Sequence, residues 1–251
     1  MKILICGYGN IGRHIHDEFV ELSDSIDIYD PFIERYKELK GTDYNYAFIC
    51  VPTDMMPDGS ADISAVEDAT SKINADIIIL KSAVPVGTTD YLINKYNKNI
   101  ILSPEYYGTT QHSESSSEFL ILGGCVGAAE KVAQLYYKVK NGGFIIRFTD
   151  AKTAELAKYM ENCFLALKVT FCNEFADVAT NYGICYSELR EIFIMDRRMG
   201  SSHTFVYADK PYYDSHCLNK DIPAFIRQAQ GKAPLMTAVD LINKERRTVN
   251  N

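Results

Sequence analysis

Hydrophobic residues in the first 150 positions form short continuous runs that alternate with segments of helical period. An apolar run at 2–6 precedes an amphipathic stretch at 11–23, and a second run follows at 25–30. Continuous apolar strands that take turns with helices are typical of a parallel sheet covered on both faces. The pattern therefore predicts an α/β fold with a doubly wound sheet. Further strands are predicted at 46–51, 75–80, 99–102, 119–124 and 143–148, and "PFIERYKELK" (31–40) is predicted to be a helix.

The pattern changes near Asp150, where a segment without proline or glycine runs as far as Gly183. Apolar residues occupy nearly every side of its helical period, and a helix of this length would extend roughly 45 Å. A helix that is apolar all round must be covered by protein. We expect either a second copy of the chain, which makes a homodimer, or a kinked pair of helices packed within one subunit.

These patterns divide the chain into three expected parts. They are a nucleotide-binding sheet domain at 1–149, a helical central or dimerisation domain with a long central helix at 150–240, and a polar tail at 241–251 that we expect to be frayed. Two further helices are predicted in the central part, "YSELREIFI" (186–194) and "LNKDIPAFIRQAQG" (218–231).

Composition narrows the possible partners. The 251 residues are 47% hydrophobic, carry a net charge of −7 and contain no basic run, so neither nucleic acid nor an anionic membrane is an expected partner. The longest apolar runs are too short to span a bilayer. Seven cysteines without a Cys-x-x-Cys pair indicate a reduced, cytoplasmic chain, and five histidines without ligand spacing lead us to expect no metal.

The segment "GYGNIG" (7–12) directly follows the first predicted strand and opens a helix. In this context Gly7 permits a tight turn, Gly9 lets a pyrophosphate approach the backbone, and Gly12 lets helix and strand pack closely. Asp30 ends the second strand, where a carboxylate can bind the ribose hydroxyls and repel a 2′-phosphate. The sequence therefore predicts a Rossmann-type site for NAD. The loop residues Tyr8, Asn10 and Ile11 complete this set of cofactor-binding candidates.

Several later segments occur together in one order. The chain resembles the UDP-glucose/GDP-mannose 6-dehydrogenase family from the N-terminus to about residue 230. The segments that carry the resemblance are "ICVPTD" (49–54), "KSAVPVGTT" (81–89), "SPEYY" (103–107), "AELAKYMENCFLALKVTFCNEFADVATNYG" (154–183), "MDRRMG" (195–200) and "CLNKD" (217–221).

The resemblance implies an activity. Enzymes of this family oxidise the C6 alcohol of a nucleotide sugar to a carboxylate with two NAD per turnover, and their nucleophilic cysteine falls on Cys217. Its thiolate would form a thiohemiacetal with the aldehyde and then a thioester. A lowered thiol pKa would come from nearby Lys220 or from a helix that begins near Asn219.

The remaining family residues also map onto this chain. Lys158 and Asn162, four positions apart, would stabilise the developing oxyanion, and Asp221 would assist proton transfer. Glu105 matches the carboxylate implicated in thioester hydrolysis, and Arg198 matches an arginine that reaches the sugar of a neighbouring subunit. By the same resemblance, the cofactor-binding candidates extend to Val51, Pro52, Thr53, Ser82 and Ala83.

The chain also departs from the family pattern. Tyr212 to Ser215 replace a Gly-Phe-Gly-Gly segment, and Cβ atoms there would restrict close approach of the sugar. Asp214 places a negative charge near Cys217, which would raise the pKa of the thiol. Ala83 replaces a threonine and Thr109 a second glutamate. The resemblance ends near residue 230, so we expect a short form that lacks the second α/β domain, which holds the nucleotide in the family.

Three functional hypotheses stay open on the sequence. The first is a 6-dehydrogenase-like oxidoreductase whose substrate is a nucleotide sugar or a related small alcohol. The second is an NAD-binding member that has lost the chemistry and serves regulation or assembly. The third is a Rossmann-type hydroxy-acid dehydrogenase, because fold does not determine function. Each candidate side chain also has an ordinary structural explanation, such as a buried thiol, a surface charge, a helix cap, or an ion pair between Arg198 and Asp196.

Overall fold

The computed structural model describes residues 1–41, 43–106, 108–110, 113–115, 119–140 and 144–250, so Tyr107 of the "SPEYY" segment lies outside them. The chain divides into two compact units. The sheet unit comprises Met1–Asp54 and Ala61–Lys158, and the helical unit comprises Met55–Ser60 and Tyr159–Asn251.

The sheet unit is built on a seven-stranded sheet in the order β2-β1-β3-β4-β5-β8-β9, with a separate β6–β7 hairpin. The strands are β1 Lys2–Cys6, β2 Ser25–Tyr29, β3 Tyr44–Ile49, β4 Ala75–Leu80, β5 Ile100–Leu102, β6 Gly108–Thr110, β7 Ser113–Ser115, β8 Phe119–Gly123 and β9 Ile145–Thr149. The helices are α1 Asn10–Phe19, α2 Ser64–Lys72, α3 Thr88–Tyr96, α4 Val126–Tyr136 and the start of α5 Ala151–Asn181.

Alternate residues of the central strands enter two separate cores. Ile3 and Ile5 of β1 pack with Phe19 of α1 on one face, while Leu4 and Cys6 pack with the α2 and α3 side on the other. A strand that is buried on both faces has no polar alternation, which is why these strands read as continuous apolar runs. The doubly wound sheet predicted from the sequence is confirmed.

Three local expectations were wrong. Residues 31–40 contain only a short 3₁₀ turn at Glu34–Tyr36, because Phe32 stays 91% exposed and gives a helix no apolar face to bury. The sheet is not wholly parallel, since β8 runs antiparallel to β5. Along the chain, the β6–β7 hairpin connects β5 to β8. A parallel pair would need a crossover connection, usually a helix, in its place. Strand β9 is a partly exposed edge strand, with Ile145 66% exposed.

The helical unit contains most of α5 together with α6 Tyr186–Phe193, α7 His216–Gln228 and α8 Pro234–Asn250. Helix α5 is one continuous helix of 31 residues. Cys163 and Ala166 of α5 form its core with Leu218 and Ile222 of α7 and with Val239 of α8. Helix α8 continues through residues 241–250, where we expected a frayed end. Met236 and Val239 of this helix pack in the same core, and Asn243 is buried one turn later. No helix in the described part of the chain is long and apolar enough to cross a membrane.

Candidate functional site

The glycine loop lies where the chain order of the sheet reverses, between β1 and β3. Gly7 has φ +89°, and a Cβ at this position would lie 2.7 Å from the carbonyl oxygen of Cys50. A Cβ on Gly12 would collide with the carbonyl oxygen of Gly7. Both positions therefore require glycine, and the crevice at such a reversal is where open α/β sheets bind their ligands.

Gly9 differs from these two glycines, because a Cβ there would meet no atom within 4 Å. The backbone in front of α1 is therefore open, and the unpaired N–H groups of the first helical turn are available to phosphate oxygens. Asp30 lies beside the loop, where its Oδ2 accepts the N–H of Tyr8 at 2.8 Å and its Oδ1 accepts that of Phe32 at 3.0 Å. The open backbone and the oriented carboxylate fit a dinucleotide.

The loops that follow β3 and β4 are tied to each other. The hydroxyl of Thr53 donates to the carbonyl oxygen of Ala83 at 2.7 Å, and that of Ser82 donates to the carbonyl oxygen of Val51 at 2.6 Å. Thr53 and Ser82 are both buried. Four of the five cofactor candidates taken from the family resemblance thus form one hydrogen-bonded patch at the carboxyl end of the sheet, next to Pro52.

Sequence reasoning missed Lys81. This lysine is buried at 4% exposure and lies 3.1 Å from Oε2 of Glu105, with Ser103 Oγ at 3.3 Å. The side chain of Glu105 is itself only 13% exposed. The alternative that Glu105 is merely a solvated surface charge is therefore wrong. A lysine directly after the buried run "ADIIIL" was the available signal, since lysine is almost never fully buried unless it is paired.

A second missed residue is Glu155, in the first turns of α5. Its buried carboxylate accepts the N–H groups of Gly87 at 2.5 Å and Thr89 at 2.8 Å, and the hydroxyl of Thr89 at 2.7 Å. Burial raises the pKa of Glu155. The carboxylate caps the N-terminus of α3 from outside that helix and holds the start of α5 against it. Lys158, one turn further along α5, places its Nζ 4.5 Å from the ring centre of Tyr106, the residue after Glu105.

The helical unit brings three sequence-predicted residues together. The side-chain amide of Asn162 on α5 donates to Oδ2 of Asp221 at 2.6 Å, and Lys220 Nζ lies 2.6 Å from Oδ1. Asp221 and Asn162 are buried, and the Lys220 side chain is 12% exposed. Each oxygen of this carboxylate is thus held by one donor. We refer to Asn162, Lys220 and Asp221 as the Asp221 cluster.

Cys217 lies in the first turn of α7 and is exposed. The helix begins at His216, three residues earlier than expected, because Ser215 caps it by accepting the N–H of Leu218 at 3.2 Å. Cys217 is therefore at the N-terminal end of a helix, which is the positive end of the helix dipole. Lys220 and Asp221 follow at three and four positions and share that helix face.

The charge of Asp214 is compensated. Its carboxylate accepts from Asn219 at 2.9 Å and pairs with Arg247 at 3.0 Å and Lys210 at 3.2 Å. The hydrogen bond from Asn219, with the two cations, lowers the pKa of Asp214. The negative charge that we expected beside Cys217 is thus shared with two positive groups.

Arg198 is not brought to the other candidates within its unit. It is exposed, and its Nε and Nη2 donate to both carboxylate oxygens of Asp196 at 2.5 to 3.0 Å, which is the ordinary pairing considered for it. Among the described residues, no group of three or more histidine, cysteine, aspartate or glutamate side chains is placed to hold a metal ion.

Two family models match this chain. Residues 34–138 match the NAD binding domain of the UDP-glucose/GDP-mannose dehydrogenase family, and residues 152–245 match its central domain. Together the two matches account for well over half of the sequence. The chain belongs to the UDP-glucose/GDP-mannose dehydrogenase family. The match to the NAD binding domain confirms NAD as the cofactor predicted from the glycine loop and Asp30.

Individual relatives agree with this assignment. The chain is 30% identical over 226 residues to the UDP-glucose 6-dehydrogenase of Rickettsia bellii, covering 84% of this chain and 51% of that protein. It is 33% identical over 219 residues to an uncharacterized protein of Methanocaldococcus jannaschii, covering 80% of this chain and 24% of that one. The chain therefore spans about half, or less, of the length of these relatives.

A solved structure shares the fold. The UDP-glucose dehydrogenase from Pyrobaculum islandicum superposes with a TM-score of 0.76 over 99% of this chain and 67% of that one, at 24% identity. The predicted architecture, a Rossmann-type sheet followed by helices that include a long central one, is confirmed. The chain is a dehydrogenase-like, NAD-binding member of its family.

Proposed function

We propose that this protein is an NAD-dependent dehydrogenase that oxidises the C6 alcohol of a nucleotide sugar to a carboxylate through a covalent intermediate on Cys217. The observation that carries this proposal is the Asp221 cluster. Asp221 lies on α7, the helix that has Cys217 in its first turn, and its buried carboxylate is held by Lys220 of α7 and Asn162 of α5. A structural helix has no need of a buried charge one turn from its exposed N-terminal thiol, whereas covalent catalysis uses both.

The chemistry proceeds in two oxidations. The alcohol first loses a hydride and a proton and becomes an aldehyde. The thiolate of Cys217 then forms an Sγ–C6 bond, and the carbonyl oxygen takes up a proton to give a thiohemiacetal. Loss of the second hydride from C6, with the hydroxyl proton, leaves a thioester, and attack by water releases the carboxylate and the thiol. When bound, NAD accepts the hydride of each oxidation.

The other residues have separate roles in this proposal. The ammonium of Lys158 and the amide of Asn162 stabilise negative charge on the C6 oxygen. Asp221 takes and returns protons, for which its buried hydrogen-bonded carboxylate is suited. Glu105 orients the water that attacks the thioester, and Lys81 holds the Glu105 carboxylate in place through their close ion pair. Arg198 contacts the sugar from a second copy of the chain.

Turnover on nucleotide sugars is the test. The purified protein is incubated with NAD and with UDP-glucose or GDP-mannose, and free glucose serves as the control that lacks a nucleotide. We expect two NADH per carboxylate from at least one nucleotide sugar and none from glucose. If a sample that binds NAD forms no NADH from any nucleotide sugar, the protein is instead the catalytically degenerate NAD-binding member. The side chains of Tyr212, Asp214 and Ser215 in place of glycines also favour that alternative.

Asp30 determines the cofactor in this proposal. Replacing Asp30 by alanine removes a charged acceptor of the ribose hydroxyls, so we expect NAD affinity to fall about 10- to 100-fold, as for the loss of a hydrogen bond to a charged group. Titration calorimetry with NAD and NADP measures this effect, and NADP should bind the wild type weakly. The matched control is Asp68→Ala, which removes an exposed aspartate that pairs with Lys72 in α2 of the same unit. Equal NAD affinity in wild type and Asp30→Ala would contradict the assignment.

We also propose a homodimer through α5. Large apolar side chains recur along this helix within an arc of about 60° at 100° per residue. They are 41 to 72% exposed, which is unusual for a contiguous set on a monomer. This apolar stripe consists of Met160, Phe164, Phe171, Phe175 and Val178.

A charge within the apolar stripe should separate the dimer. We expect Phe175→Glu to be monomeric at micromolar concentration by light scattering, since the carboxylate would be buried at the interface without a partner. The matched control is Thr180→Glu, which places the same charge at an exposed position on the opposite side of the helix. A wild-type monomer, or a dimeric Phe175→Glu variant, would show that the stripe is not the interface.

A further inference from the structure

Tyr213 and Asp214, in the segment before α7, are held by side chains of α8. Asn243 of α8 is buried at 3% exposure and makes two hydrogen bonds to the backbone of Tyr213. Its Oδ1 accepts the Tyr213 N–H at 2.8 Å, and its Nδ2 donates to the Tyr213 carbonyl oxygen at 3.1 Å. One side chain thus satisfies both backbone groups of a residue four positions before Cys217.

Further contacts from α8 reach the same segment. Arg247, one turn after Asn243, pairs with Asp214 at 3.0 Å, and Asp240, one turn before it, accepts the Tyr213 hydroxyl at 3.4 Å. Tyr213 itself packs in the core with Leu218 of α7 and Val239 of α8. The segment is therefore bound from one helix face at three successive turns.

We propose that Asn243 is a positioning residue that sets the direction of the Cys217 thiol. A segment that approaches a substrate must hold one backbone conformation, and ordering a residue that is otherwise free costs conformational entropy. The Asn243 amide orders the segment because it bonds to both the N–H and the carbonyl oxygen of Tyr213. A neighbouring strand would satisfy the same two backbone groups, but Tyr213 lies in no strand. Only Asp214 separates Tyr213 from Ser215, the cap of α7, so fixing Tyr213 fixes the start of the helix on which Cys217 lies.

The effect of Asn243 on catalysis rests on the function proposed above. Its effect on the segment before α7 and on the Cys217 thiol can be measured without turnover. Two variants separate hydrogen bonding from packing. Asn243→Ala removes the amide and leaves a cavity, while Asn243→Leu fills the volume without any hydrogen-bonding group. The matched control is Asn173→Ala, which removes an equally buried asparagine of α5 whose Nδ2 bonds only to its own helix, at Val169.

The experiment uses the full chain and three measurements. We expect at least tenfold faster hydrogen exchange of the Tyr213 amide in both Asn243 variants, and at least a threefold change in the rate of Cys217 alkylation by iodoacetamide. In an active enzyme, kcat should fall while KM for NAD stays at its wild-type value. Asn173→Ala should leave exchange and alkylation at wild-type rates.

Two results would overturn the inference. Exchange and alkylation rates in Asn243→Leu that equal those of the wild type would show that packing, not hydrogen bonding, orders the segment. Equal effects of Asn173→Ala and Asn243→Ala would show that Asn243 acts only through general stability. A wild type that turns over no nucleotide sugar would end the proposed function and leave the exchange and alkylation results to decide the role of Asn243.

Discussion

Replacing Cys217 by alanine is expected to reduce carboxylate formation by roughly 10³-fold or more, the scale on which enzymes lose rate when a nucleophile is removed. In the proposed mechanism, the first oxidation, from alcohol to aldehyde, does not use the thiol. The second oxidation does, because its hydride leaves from the carbon of the thiohemiacetal. The variant should therefore release one NADH per substrate consumed, where the wild type releases two, and aldehyde should accumulate. NADH absorbance combined with mass spectrometry of the sugar products measures both quantities.

Cys185 provides the matched control. It is another exposed cysteine of the helical unit, at the N-cap of α6, and the backbone N–H groups of Glu188 and Ser187 lower its pKa. Cys185→Ala should keep the wild-type rate and two NADH per carboxylate. Two NADH per carboxylate from Cys217→Ala, at an undiminished rate, would contradict the covalent mechanism and favour an ordinary alcohol dehydrogenase.

Replacing Lys81 by methionine is expected to lower the free energy of unfolding by about 3–5 kcal/mol, the cost of leaving a buried charge without its partner. Methionine retains most of the length of lysine, so the loss comes from the charge and not from a cavity. The Glu105 carboxylate would remain in a site where its side chain is 13% exposed. Chemical denaturation followed by circular dichroism measures the change.

Lys95 supplies the control for this effect. Its ion pair with Glu67 at 2.8 Å has a similar length, but the lysine side chain is 44% exposed. Lys95→Met should leave the free energy of unfolding close to that of the wild type, because exposed ion pairs contribute little to stability. The double variant Lys81→Met with Glu105→Leu should recover most of the lost stability, since it also removes the buried carboxylate that pairs with Lys81 in the wild type. A Lys81→Met variant as stable as Lys95→Met would mean that Lys81 and Glu105 do not form a buried pair.

Local rules were sufficient for the dinucleotide loop. Gly7 and Gly12 need glycine because of atoms within a few residues or on an adjacent strand, and their spacing after an apolar run is visible in the sequence. The same holds for Asp30, which follows β2 directly. The continuous apolar strands also predicted the doubly wound sheet, because burial on both faces leaves no polar position in a strand.

Local rules were insufficient where a partner is distant along the chain. Glu105 and Lys81 meet because β5 lies beside β4, and nothing near either residue indicates that neighbourhood. The start of α7 was placed three residues late, because the Ser215 cap competes with several polar residues that could serve equally well. The antiparallel return of β8 depends on what connects it to β5, which hydrophobic periodicity does not report.

Short spacings and the positions of residues that avoid water were sufficient to predict the doubly wound sheet, the long helix, the glycine loop, the cofactor and the family. Only the tertiary structure decided that Asp221 is held by Asn162, 59 positions away, and Tyr213 by Asn243, 30 positions away. The physical reason is that a buried polar group must find a partner, and packing of distant elements, rather than local conformation, selects which partner it finds.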